Sequence, residues 1–93
     1  MINRPVQLSV TTTGSGFQEL APFRILFTGD ISCKPANSGP VLFQIDGVEV
    51  AWDPGEWHTF HHIDLLLIQV SGNAGDIVTC IGDTFAPASA GGA

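Results

Sequence analysis

The side chains able to hold a metal ion gather in one short stretch: His58, His61 and His62, with Asp64 close behind. Imidazole and carboxylate are common ligands for divalent transition metals. On a β-strand, alternate residues share a face, so His58 and His62 fall together and His61 points away. A three-ligand site then requires the following connector to fold back. Cupin-type sites use two histidines one residue apart and then a carboxylate, whereas this chain reads His-x-x-His-His. The spacing favours surface or interface histidines over a metal centre, and no cofactor is expected. Histidines grouped at a subunit boundary would make that contact pH-sensitive.

Other reactive groups are scattered. Trp52 and Trp57 flank a Pro54-Gly55 turn and could form a sugar-binding platform, although alternation places Trp52 on an apolar face. Asp53, Glu56 and Asp64 offer carboxylates, but Asp53 opens the turn and Glu56 reads as solvated. No local motif such as Gly-x-Ser-x-Gly links a serine to a base. Cys33 and Cys80 are the only cysteines. Two cysteines alone make no metal site, and they read as reduced, half-buried thiols. A 93-residue sandwich also has little room for a ligand pocket of several hundred Å³. The expectation is a protein that is not an enzyme.

The elements that would position these groups are strands. The stretch VLFQIDGVEVAW, from Val41 to Trp52, reads as a hairpin closed by Asp46-Gly47, since a two-residue Asp-Gly loop suits a type I′ turn. That turn sets Phe43 opposite Val50 and puts Val41, Phe43, Ile45, Val48, Val50 and Trp52 on one apolar face. A lone hairpin is at best marginally stable, so other strands must cover that face. Residues 6–13 alternate as a half-buried strand, with residues 1–5 as a lead-in arm. Residues 17–22 form a connector, 23–28 a strand, Gly29-Asp30 a turn, and 31–34 a brief strand. After a loop at 35–40 and the hairpin come a strand at 57–62 and a compact connector at 63–67 with one 3₁₀ turn and no cap. A strand at 68–71, a hairpin loop at 72–76 and a last strand at 77–82 follow, the last central and covered on both faces. The expected architecture is all-β: a small antiparallel β-sandwich or jelly-roll-like domain of seven or eight short strands over residues 1–85. Residues 86–93 are a flexible Ala/Gly/Ser/Pro tail.

Charge narrows the partners. The net charge is −6, with Arg4, Arg24 and Lys34 the only cations, which disfavours nucleic acid and anionic membrane surfaces. No apolar run approaches the roughly 20 residues of a membrane span. MINRPVQLSV has no signal-peptide apolar region, so the chain is expected to fold in a cytoplasm. Apolar residues make up 44% of the chain, more than a domain this size can hide. Leu26, Leu42, Leu66 and Trp57 fall where a monomer would expose them, as interaction surfaces do.

From Asn37 to Gly82 a series of motifs follows in order: Ser38-Gly39-Pro40-Val41, then Pro54-Gly55, then Trp57 with Phe60, then Ile63 to Val70, then Gly72 to Asp76. This half of the chain resembles small virion proteins of tailed phages, in particular the decoration (cement) proteins bound outside the head. Such chains usually carry Gly before the Ile/Val-Asp-Leu step, where His62 stands here, and Ser where Leu66 stands. The resemblance implies a β-sandwich that assembles symmetrically, often as a homotrimer, and binds the major capsid protein on the outer surface of the head. It also implies manufacture in the host cytoplasm and no catalytic residues. Candidate interface residues are Leu26, Pro40, Leu42, Trp57, His61, His62 and Leu66. The contact loops are expected at residues 1–6, 35–40 and 61–67, at one end of the sandwich. A phage tail or fibre component, or a carbohydrate-binding module using Trp52 and Trp57, is the alternative.

Overall fold

The Asp46-Gly47 turn is where the whole chain doubles back. In the computed structural model, which describes residues 2–86 and side-chain burial for 4–84, both turn residues have positive φ, 51° and 77°. That is the type I′ geometry that matches the right-handed twist of the flanking strands. β4 (Val41–Ile45) and β5 (Val48–Trp52) pair in the expected register, with Phe43 opposite Val50 and Val41 opposite Trp52.

From that apex the two halves of the chain run alongside each other. β2 (Gln18–Glu19) pairs with β7 (Ile68–Ser71), β3 (Leu26–Cys33) with β6 (Trp57–Asp64), and β1 (Ile2–Thr11) with β8 (Ile77–Ala86), all antiparallel. Rolling this long double strand up adds the β3–β8 and β4–β7 pairings. The result is two four-stranded sheets, ordered β1-β8-β3-β6 and β2-β7-β4-β5. This is a jelly roll, the double-sheet form of an eight-strand β-sandwich.

The core lies between the sheets. Phe27, Ile31, Val78 and Cys80 from the first sheet meet Val41, Phe43, Ile68 and Val70 from the second, with Leu20 and Leu65 at the margins. Each large side chain buried this way contributes about 1.5–3 kcal/mol. Trp52 is 3% exposed and stacks on Phe43, ring centroids 3.8 Å apart.

Several expectations are corrected. Residues 2–5 belong to β1 and pair with β8 as far as Ile2 opposite Ala86; they are not a free arm. β3 runs straight through Gly29-Asp30, so there is no turn there. Gly29 has φ 156° and sits opposite Gly82. A Cβ on Gly82 would stand 2.7 Å from the Gly29 Cα. The glycine is required by this close backbone approach rather than by a chain reversal. Residues 72–76 join β7 in one sheet to β8 in the other, so they form an arch and not a hairpin. β8 is central, as expected, but covered on one face only, since Ile81 is exposed. The connector 17–22 contains the short β2. The 3₁₀ turn falls at Leu65–Leu67, and it does have a cap: Asp64 accepts a hydrogen bond from the Leu66 amide at 3.1 Å. The Ala/Gly/Ser tail expected from residue 86 onward lies outside the described residues apart from Ala86, which pairs in β8.

The arch is held by side chains from two other segments. The Asp76 carboxylate, on a residue only 4% exposed, accepts from the Ser38 amide at 2.9 Å and the Ser38 hydroxyl at 3.0 Å. Buried Thr12 donates its amide to the Asp76 carbonyl at 2.8 Å and its hydroxyl to the Asn73 carbonyl. Asn37 pairs with both backbone groups of Ile77, at 2.9 and 3.0 Å. This network locks the end of the sandwich where β1, β3 and β7 finish.

Candidate functional site

The opposite end is less tightly closed, and its apolar side chains stand out. There β1 and β3 begin and β6 and β8 finish, beside the Asp46-Gly47 turn and the 3₁₀ turn. β1 and β8 have ten residues each, whereas no strand of the second sheet exceeds five. The first sheet therefore overhangs, and an open apolar groove of about 450 Å³ forms between β1 and the segment leading into β3. Its lining includes Arg4, Val6, Leu8, Phe23, Ile25 and Thr84. A cleft of this volume was not expected of so small a sandwich. It arises from unequal strand lengths rather than from a hollow core.

Phe23, Leu26, Val48 and Leu67 are exposed at this same end, Val48 by 66%. On β5, Val50 is exposed too, although it shares a face with buried Trp52. β5 is an edge strand, with no further strand beyond it in its sheet. A second open cleft, about 390 Å³, lies on the outer side of this region between Gln44, Asp46, Leu66, Leu67 and Gln69.

The residues singled out from the sequence divide between the two ends. Leu26, His61 and His62 are exposed at the open end, and Leu42 is exposed on the outer face of β4. Pro40 and Trp57 are exposed toward the locked end, Trp57 by 59%. The loop at residues 35–40 is therefore not grouped with 2–6 and 61–67. Leu66 is half-buried, and the 3₁₀ turn exposes Leu67 in its place. Sequence reasoning missed Phe23, Val48 and Val50, and held Leu67 only as part of the 61–67 connector. The available signal was that β5 ends an apolar face with no further strand to cover it.

The histidines do not share a face as simple alternation predicts. The register between β3 and β6 shifts between Phe27, opposite Ile63, and Gly29, opposite Phe60. His61 and His62 occupy this bulge, His62 with φ 52°, and both are exposed. The extra residue turns Ile63 inward against the core. The His62 amide donates to the Thr28 hydroxyl at 3.0 Å. His58 contacts the Glu56 carboxylate at 2.6 Å and sets its ring at an angle to Trp52, centroids 4.6 Å apart. No group of three metal-ligating side chains forms among the described residues. Because Trp52 is buried, it offers no face to a sugar ring, and Trp57 stands without it.

Electrostatics differ between the flanks of the open end. Arg4 lines the groove, and Arg24 lies beside it, paired to Asp64 at 2.9 Å. The hairpin flank carries Asp46 and Glu49. Farther off, His58 and the Asp53 amide hold the Glu56 carboxyl below its ordinary range. Burial pushes Cys33 up to about 11, helped by the nearby negative charges of Glu56 and Asp76, and pushes Cys80 up to about 12. Both thiols are free and buried. They are protonated at neutral pH and poor nucleophiles.

Comparison with protein-family models, with curated proteins and with solved structures finds no match to this chain.

Proposed function

We propose that this chain is a non-enzymatic structural protein of a tailed-phage virion, decorating the outer surface of the head through protein–protein contacts with the major capsid protein and assembling as a symmetric homo-oligomer, a trimer. The observation that carries the reading is the gathering of exposed Phe23, Leu26, Val48 and Leu67 at one end of a rigid jelly roll. Large apolar side chains left together on a small domain mark an interaction surface. The jelly roll recurs in viral capsid proteins and also in lectins and cupins, so the fold alone is an analogy.

A local feature favours the phage resemblance. Where the resembling chains carry glycine, this chain has His62, and His62 adopts positive φ, a conformation glycine takes without strain. A histidine at positive φ is compatible with the glycine that the resembling chains carry there.

The reading assigns the end face, with Leu26 and Leu67, to the capsid. Because the side chains exposed there, Leu26 and Leu67, are apolar, that contact is apolar rather than ionic. The test is cofractionation of the protein with intact heads of the phage that encodes it. Absence from purified particles refutes the proposal.

A further inference from the structure

We propose that the copies join head-to-tail in a closed ring, the hairpin edge of one protomer seating Val48 and Val50 in the apolar groove beside β1 of the next. The inference rests on the self-assembly reading above and names the surfaces that perform it.

Three observations support it. First, the two patches lie on opposite flanks. β1 is one edge of the first sheet and β6 the other. β5 lies over β6, because Trp52 contacts the rings of His58 and Phe60. Second, the patches lie at the same end. Arg4 pairs with Thr84, and Phe23 enters β3 at Leu26, opposite Asp64. Asp64 leads through the 3₁₀ turn into Ile68, which faces Ile45 next to the hairpin turn. A heterologous contact closes into a ring when the rotation between neighbouring copies closes, and runs on as a filament when it does not; surfaces at one level leave no rise along the axis to prevent closure. Third, shape and charge match. The groove is apolar, has volume for several aliphatic side chains, and carries Arg4 at its rim with Arg24 beside it. The hairpin edge presents exposed Val48 and Val50 with Asp46 and Glu49 alongside. A two-fold contact would instead oppose arginine to arginine, or carboxylate to carboxylate, which is unfavourable.

The test is directed disulfide cross-linking of exposed positions in the full chain. Phe23→Cys and Val48→Cys are made singly and together, with circular dichroism to verify folding. The native thiols are buried with raised pKa values, so they stay silent. Under mild oxidation, mixed single variants should give a covalent dimer, and each alone should give none. The double variant should give one closed species, three chains on the trimer reading, with no longer ladder. Cross-linking of either single variant alone at a comparable rate would overturn the head-to-tail contact. So would a wild-type chain that sediments as a monomer at micromolar concentration, or a wild-type oligomer whose mixed Phe23→Cys and Val48→Cys variants give no covalent dimer. Capsid binding is scored separately. A monomer that still decorates heads refutes the ring and leaves the capsid reading standing; a ring that ignores heads does the reverse.

Discussion

Replacing Asp76 with alanine should loosen the locked end of the sandwich by a calculable amount. The carboxylate accepts from two donors, the amide and the hydroxyl of Ser38, at 2.9 and 3.0 Å. Ser38 is exposed, so its hydroxyl can turn to water and its loss is small. The amide bond to an ionised acceptor is worth about 1.5–3 kcal/mol. The amide and carbonyl of residue 76 keep their bonds to Asn73 and Thr12, and the Asn73–Ser38 and Asn37–Ile77 bonds still tie the arch to residues 35–40, so the arch loosens rather than collapsing. The expected total is about 2–3 kcal/mol. For a domain of this size, that lowers the melting temperature by roughly 8–24 °C. Asp76→Asn keeps an acceptor for the amide and should cost only about 1 kcal/mol. Urea unfolding at neutral pH, followed by tryptophan fluorescence, measures both variants. An alanine variant within about 0.5 kcal/mol of wild type would show that the carboxylate does not hold the loop.

Three further outcomes are expected. Gly82→Ala would place a Cβ 2.7 Å from the Gly29 Cα; because both positions are central backbone, it should cost about 3 kcal/mol or more, and a melt unchanged from wild type would contradict the Gly29–Gly82 approach. At position 62 the order of stability should be Gly at or above His, and His above Val by at least about 1 kcal/mol, because φ is positive there; a valine variant as stable as wild type would refute the bulge. The Glu56 pKa is lowered, so its pairing with His58 favours the charged form, is present above the ordinary value of 4.5, and is lost as pH falls through the lowered value. NMR titration of the Glu56 carboxyl should find its midpoint below 4.5, moving up in His58→Ala; an unmoved midpoint would remove His58 as the cause.

What could be read from the chain was what short-range chemistry decides. Asp46-Gly47 dictates its own turn and register, and the run at Ile68–Ser71 alternates cleanly, so the apex and β7 were legible. The class followed from these runs and the turns between them. What failed depended on distant partners. Gly29 looks like a turn residue until Gly82 is set against it. Residues 72–76 have hairpin chemistry, yet donors from Thr12 and Ser38 hold them as an arch between sheets. The bulge at His61 and His62 hides in a sequence that alternates plausibly without it. At the open end, alternation correctly puts Val48 and Val50 on the face of Trp52; what it does not show is that β5 is the edge of its sheet and leaves them exposed.

The central claim is that this chain binds a phage head through apolar contacts. The most direct measurement counts its copies on purified particles by mass spectrometry, before and after a wash at about 1 M salt, where the Debye length is roughly 3 Å. A fixed copy number in multiples of three per lattice site, largely retained through the wash, is the predicted result. Absence from the particles, or complete release with the lattice intact, would contradict it.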